Sequence, residues 1–211
     1  MKIAIDGTAA SGKGTLARRL AAELGFPYLD TGLLYRAVGL ALLEAGHDPA
    51  DAKRAAAAAT EITPETIRDR PELRTERAGR AASVVSIHPD VRAALLEFQR
   101  RFGDADGGAV LDGRDIGTVV LPGAALKIFV TASLEERARR RARDLGLVGE
   151  EQVDTVAADL ARRDERDQSR AAAPMKPAPD ALILDTTELG IEAVLAEALA
   201  AVSRCRPGTA N

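Results

Sequence analysis

Short apolar runs alternate along this chain with longer stretches in which leucine and alanine recur every three or four positions. These two periods separate strands from helices. Residues 2–6 (KIAID) predict a buried strand. Residues 12–24 predict a helix, with Leu16, Leu20 and Leu24 on one face and Gly25 as its stop. Residues 27–30 (PYLD) predict a short second strand, and residues 31–45 a helix ended by Gly46. Residues 47–71 are less regular: an alanine run, then a polar stretch holding Pro64 and Pro71. This composition shift reads as an insertion. Helical stretches follow near 72–86 and 91–101, split by Ile87, His88 and Pro89, with His88 a turn residue. Residues 109–112 and 126–131 predict strands, and Ser133 starts a charged helix broken by Gly146 and Gly149. A second charged helix is expected over about 153–167, then a proline-rich turn (APMKPAPD), a strand at 181–185 and a helix at 191–202. The tail RPGTAN is expected to fray, and there is no internal repeat.

Apolar strands alternating with helices imply an α/β fold, a five-stranded parallel sheet covered on both faces. Such sheets bind ligands beyond the carboxyl ends of their strands. Here those ends carry Asp6-Gly7, Asp30-Thr31-Gly32, Asp112-Gly113-Arg114 and Asp185-Thr186. A chain of 211 residues suffices for one good-sized core. With 3% aromatic residues, that core must be built from Ala, Leu, Val and Ile. The net charge of −3 argues against a general nucleic-acid binder. Basic charge is mostly arginine, 24 against 5 lysines. Genomic composition in an alanine-rich chain and phosphate handling by guanidinium forks both account for that skew. The one cysteine, Cys205, can close no intrachain disulfide, which fits a reducing compartment. No apolar run precedes Asp6 and none reaches the length of a membrane span. A soluble cytoplasmic protein without membrane partners is expected.

The first strand runs directly into Gly7, Thr8, Ala9, Ala10, Ser11, Gly12, Lys13, Gly14 and Thr15. Gly-x4-Gly-Lys between a strand and a helix is the start of a P-loop. Its consecutive N–H groups curl around phosphate oxygens, the helix N-terminus adds partial positive charge, and Lys13 can reach the β- and γ-phosphates of a nucleoside triphosphate. The bland alternative is a glycine-rich strand–helix turn, but Lys13 falls at the one useful place. Gly14 stands where the usual pattern has a Ser or Thr that binds Mg²⁺, with Thr15 next. Gly-Lys-Gly-Thr looks like the nucleoside monophosphate kinase version. The metal is therefore expected to be held mainly by phosphates and water. Asp112, ending an apolar strand, is the Walker-B-like candidate for a water-mediated metal role; the alternative is a cap.

At the second strand's end, Asp30 to Arg36 (DTGLLYR) opens a helix with Thr31, Tyr35 and Arg36 near its start. Capping alone explains Asp30 or Thr31. A hydroxyl and an arginine at a helix N-terminus also make a second anion site. The stretches LDTGLLYR, HPDVRAALLEFQR, LDGRDIGTVVLP, KIFVTASLEERARRR and RRDERDQSR resemble bacterial cytidylate kinases, in the same order. With the P-loop, the resemblance covers nearly the whole chain outside residues 47–71.

That resemblance implies a single three-layer P-loop NTPase domain over residues 1–211, with an NMP-binding insertion at 37–90 and a lid at 146–170. It implies phosphorylation of CMP and dCMP with ATP and Mg²⁺, by a monomer that engages no nucleic acid. Carried over by position, Thr31 and Arg36 match acceptor-phosphate contacts and Arg114 a further one; the family usually has Ser at Thr31, and the hydroxyl survives. Ser83, Arg92 and Asp115 match the base-reading set. Arg163 and Asp167 match lid residues that meet the ribose, and Arg166 and Arg170 lid arginines near the phosphates. Lys13, Arg114, Arg166 and Arg170 are thus the catalytic candidates. A solvated helix face is the alternative for the lid cluster. Residues 47–71 lack the alternation of the antiparallel unit that long-insert members carry there. The rival readings are another small P-loop kinase, for UMP, AMP or a non-nucleotide acceptor, and a non-catalytic nucleotide switch. No water-positioning Gln stands near the third strand, only Arg-Asp.

Overall fold

In the computed structural model, which describes residues 1–205, strand β1 (Lys2–Gly7) is buried from Ile3 onward. Its neighbours are β2 (Tyr28–Asp30), β3 (Ala109–Gly113), β4 (Leu126–Thr131) and β5 (Leu182–Asp185). Among the described residues the sheet order is β2-β3-β1-β4-β5, with β1 parallel to both β3 and β4, and β4 parallel to β5. Ile5 is paired with Asp112 on one side and Ile128 on the other. That register brings Gly7, Asp112 and Thr131 to the same edge of the sheet, where β5 adds Asp185.

Helices α1 (Lys13–Leu24) and α9 (Ile191–Cys205) cover the sheet with aliphatic side chains. Leu16, Leu20, Val194, Leu195 and Val202 pack with Ile3, Ile5, Val110, Ile128 and Leu184 in one core. Helices α7 (Leu134–Asp144) and α8 (Glu150–Gln168) form a smaller cluster of Ala138, Ala142, Val156 and Leu160 that takes in Ala9. The numbers α2 to α6 belong to the helices between β2 and β3.

The chain divides into two compact units, one of Met1–Leu29 with the chain from Gly103 onward, the other Asp30–Phe102. The second is helical: α2 (Thr31–Glu44), α3 (Ala52–Thr60), α4 (Pro64–Ile67), a 3-10 turn (Pro71–Arg74), α5 (Glu76–Val85) and α6 (Pro89–Gly103), whose last residue falls in the first unit. Ala37, Leu40 and Leu73 pack with Leu33, Ile62 and Ile67 in its core.

Residues 47–71 are more regular than their sequence pattern suggests. Asp51 accepts from Arg54 N at 3.1 Å and caps α3. The alanine run propagates it because alanine is the best helix former. Ala55 and Ala59 turn inward, and no strand forms there among the described residues. The uniform run carried no apolar–polar contrast from which to read a period. The stretch expected as helix from 72 begins instead with the 3-10 turn, and Thr75 caps α5 by accepting from Ala78 N. Helix α8 starts at Glu150, earlier than 153, and α9 runs on to Cys205. A single π-helical turn, Ile116–Val120, follows β3 where no element was expected. His88 sits in the turn before α6, hydrogen-bonded to the Pro49 carbonyl. The tail RPGTAN lies outside the described residues.

Helices α2 and α5 meet at backbone distance. A Cβ on Gly39 would stand 2.6 Å from Ala81 Cβ and 2.9 Å from the Ala81 carbonyl carbon. Backbone on the far side cannot give way, so Gly39→Ala should lower stability by about 1–3 kcal/mol. An unchanged denaturant midpoint would contradict this packing.

Candidate active site

The loop after β1 is held by its carbonyls. Thr8 N donates to Val130 O at 3.3 Å, tying the end of β1 to β4. The Thr8 carbonyl accepts from Ser11 Oγ at 3.0 Å, and the Ala9 carbonyl from Arg137 Nη1 at 3.3 Å. The Ser11 carbonyl lies 3.0 Å from the Thr186 hydroxyl, which itself accepts from Arg140 at 2.9 Å. In a trans peptide the C=O and the next N–H point in opposite directions. The N–H groups of Ala9, Ala10 and Gly12 therefore point away from these donors. Ala10 at φ 60° and Gly12 at φ 86° give the loop its left-handed turns. Gly12 then caps α1, so the helix's positive end opens on the loop. Lys13 is the first helical residue, half-buried, and Thr15 is exposed. The Thr8 hydroxyl is buried in the loop with no hydrogen-bond partner. A loop of this form, ending on a helix N-terminus, is suited to cradle an anion.

Asp112 is buried at the end of β3 and accepts from the Tyr28 hydroxyl at 2.9 Å. Its other oxygen would lie 3.6 Å from a Cβ on Gly14. The carboxylate thus faces the helix start at the residue after Lys13. No group of three or more His, Cys, Asp or Glu that could hold a metal occurs among the described residues. One carboxylate beside a phosphate cradle fits Mg²⁺ carried largely by phosphates and water, and does not fit a closed protein cage.

Two buried aspartates organise the arginines of this unit. Asp167, 1% exposed, accepts from Arg114 Nε at 3.0 Å and pairs also with Arg170. Burial pushes its carboxyl up, but the guanidinium groups of Arg114, Arg170 and Arg163 outweigh that and hold it below the ordinary range. Asp164 accepts from the buried Arg137 at 2.5 Å. Arg137 also donates to the Ala132 carbonyl at 3.0 Å, so one guanidinium joins α7, α8 and the loop. Arg163 and Arg170 are half-buried and Arg166 exposed. Asp115 is buried at the start of the π-helical turn.

In the second unit Thr31 is buried at the start of α2, one residue after Asp30 at its N-cap. Arg36 Nη1 donates to the carbonyls of Leu73 at 2.8 Å and Thr75 at 3.2 Å. The Arg92 guanidinium lies 5.7 Å from the centre of the Tyr35 ring, a cation–π distance. Ser83 is buried on α5. Thr31, Tyr35, Arg36, Ser83 and Arg92 thus share one helical unit.

The sequence profile of the cytidylate kinase family matches residues 3–204. The chain belongs to that family. It is 55% identical to a cytidylate kinase of Rhodopseudomonas palustris over 99% of this chain and 98% of the other. Its identity to the cytidylate kinase of Paramagnetospirillum magneticum is 56%, over 97% of this chain and 98% of the other. A Methylobacterium cytidylate kinase is 62% identical over 86% of each chain. Among solved structures, an uncharacterized protein from Eubacterium ventriosum shares the fold with a TM-score of 0.58 at 12% identity, over 96% of this chain and 98% of that one.

The sequence alone did not point to Arg137, Asp164, Tyr28 or Arg140 in this cytidylate kinase family member. Arg137 and Asp164 sit in charge-rich helices, where burial leaves no mark on composition. Asp6 was visible as a strand end but not as an anchor. Its carboxylate accepts from Ile116 N and Gly117 N, both at 2.7 Å, and so fixes the turn that follows Arg114 and Asp115.

Burial is the main force on Asp6 and lifts its pKa from 3.8 to about 6, against the two N–H donors. A raised carboxyl pKa means the folded state holds the proton more tightly than the unfolded chain. Stability from this group is full below the ordinary value and falls as pH rises to about 6, by about 3 kcal/mol at most. Asp167 titrates lower and stays out of this window. Asp6→Asn should therefore gain stability relative to the parent as pH is raised from 4 to 7. A parent–variant difference that stays flat across that range contradicts the assignment.

Proposed function

We propose that this chain transfers the γ-phosphoryl group of ATP to CMP or dCMP, giving ADP and CDP or dCDP. The observation that carries the reading is the loop between β1 and α1, in which side chains engage the carbonyls of Thr8, Ala9 and Ser11 and Gly12 opens the positive end of α1 onto the loop. Family membership supports the acceptor, since the relatives at 54% identity or more over nearly their whole length are cytidylate kinases.

A non-bridging oxygen of the CMP phosphate attacks the γ-phosphorus. The bond from that phosphorus to the β–γ bridging oxygen breaks, and its electron pair leaves with ADP. The acceptor is already anionic, so no catalytic base is needed; the protein supplies placement and positive charge. The residues from Gly7 to Thr15 hold the triphosphate. Lys13, Arg114, Arg166 and Arg170 offset charge on the transferring group. Thr31 and Arg36 bind the acceptor phosphate, with Tyr35 beside them, and Arg163 and Asp167 meet the ribose. Mg²⁺, near Asp112, would screen the phosphate charge when bound.

Residues 37–90 act as the NMP-binding part and 146–170 as a lid that excludes water. The chain works as a monomer. No helix among the described residues is long and apolar enough to cross a membrane. The lone cysteine and an ATP substrate fit the reducing cytoplasm.

Coupled ADP release, run with ATP alone and then with CMP, dCMP, UMP, AMP and shikimate, tests the reading. Turnover should require an acceptor and be fastest with CMP or dCMP. Equal release without an acceptor would sink it in favour of hydrolysis, and faster turnover with another acceptor would reassign the substrate.

Base choice rests on Arg92 and Asp115, with Ser83 assisting. Cytosine offers acceptors at O2 and N3 and a donor at N4. An arginine fork suits the former and a carboxylate the latter. Uracil would set its O4 against Asp115, acceptor against acceptor. Unpaired buried groups of this kind cost about 1–3 kcal/mol each, enough for roughly ten- to a hundredfold discrimination. Asp115→Asn supplies a donor for O4, so CMP kcat/KM should fall and the CMP-to-UMP ratio shrink. Parallel loss on both substrates would mean that Asp115 only braces its neighbours.

A further inference from the structure

Gly79 lies inside α5, where glycine is a poor helix former and nothing about its own backbone requires it. It is not among the glycines with positive φ, so alanine fits the helix there without strain. Packing of α2 against α5 explains Gly39, whose missing Cβ faces the Ala81 backbone. It does not explain Gly79. The three atoms closest to a Cβ on Gly79 all belong to one side chain: Arg36 Nη2 at 3.3 Å, Cζ at 3.5 Å and Nη1 at 3.5 Å. Near-equal distances to three coplanar atoms mean that the flat side of the guanidinium lies over the bare Cα. On that seat, Arg36 Nη1 gives its two hydrogens to the carbonyls of Leu73 and Thr75.

We infer that Gly79 is a positioning residue for acceptor binding: its missing side chain is the seat that sets the plane and reach of the Arg36 guanidinium. The inference rests on the proposed role of Arg36 as a contact of the acceptor phosphate. A Cβ at 3.3 Å is tighter than an ordinary carbon contact, so it tilts or lifts the fork by a few tenths of an ångström. Arginine reads phosphate by a rigid planar fork, so displacement of the plane weakens its hydrogen bonds directly. The helix itself gains from the substitution, because alanine replaces glycine in its interior.

This combination separates the inference from a structural role. Gly79→Ala should keep or raise Tm while raising KM for CMP about three- to tenfold, part of what a lost charge-assisted hydrogen bond would cost. KM for ATP should stay put. Arg36→Ala should raise KM for CMP more, and Gly79→Ala on that background should add nothing beyond about twofold, since both act through one side chain. A lower Tm for Gly79→Ala overturns the inference, because the new methyl would then be meeting something rigid. So does an unmoved KM for CMP where Arg36→Ala raises it, or a further rise in the double variant. If Arg36→Ala itself leaves KM for CMP unchanged, the proposed role of Arg36 fails, and the inference built on it fails too.

Discussion

At the end of β1 the backbone of Gly7 lies so close to β4 that a Cβ would stand 2.0 Å from the Val130 carbonyl oxygen. No side chain fits there, and the φ of 152° is one that L-residues rarely adopt. The path of the loop after β1 depends on this approach. It lets Thr8 N reach Val130 O, which ties the end of β1 to β4. The loop's carbonyls are then within reach of Arg137, Thr186 and the loop's own Ser11. Fixing the carbonyls fixes the opposite N–H groups. Preorganised donors of this kind need no rearrangement as charge develops.

The arginine excess divides by environment. Arg139–Glu135, Arg162–Asp159 and Arg80–Glu76 are exposed ion pairs within single helices. Such pairs contribute little to stability. Arg137 with Asp164, and Arg114 and Arg170 with Asp167, are desolvated. Buried pairs recover little net stability, because desolvation offsets attraction. Their value here is placement: they hold Arg137 of α7, Arg114 after β3 and Arg170 beyond the end of α8 on aspartates of α8.

Much of this was legible in the sequence. The strand–loop–helix of the phosphate site was readable because glycine, glycine and lysine have fixed spacing and a mechanical reason for each place. The order of the sheet elements was readable because buried parallel strands are short aliphatic runs. The capped helix at 52–60 was less so, since an unbroken alanine run has no period. The anchors were hidden for a different reason. Asp6 acts on Ile116 and Gly117, Arg137 on Ala9 and Asp164, and Gly79 on Arg36. Each partnership spans a long stretch of chain, and no local pattern distinguishes a buried charge from one on a solvated helix face.

The central claim is that the loop with Lys13 stabilises the transferring phosphoryl group more than the bound ATP. Lys13→Ala, followed by steady-state kinetics with CMP and by ATP binding at equilibrium, tests it most directly. The account predicts an intact fold, a kcat lower by about a hundredfold or more, and a smaller change in ATP affinity. A folded variant with near-parental kcat would contradict it.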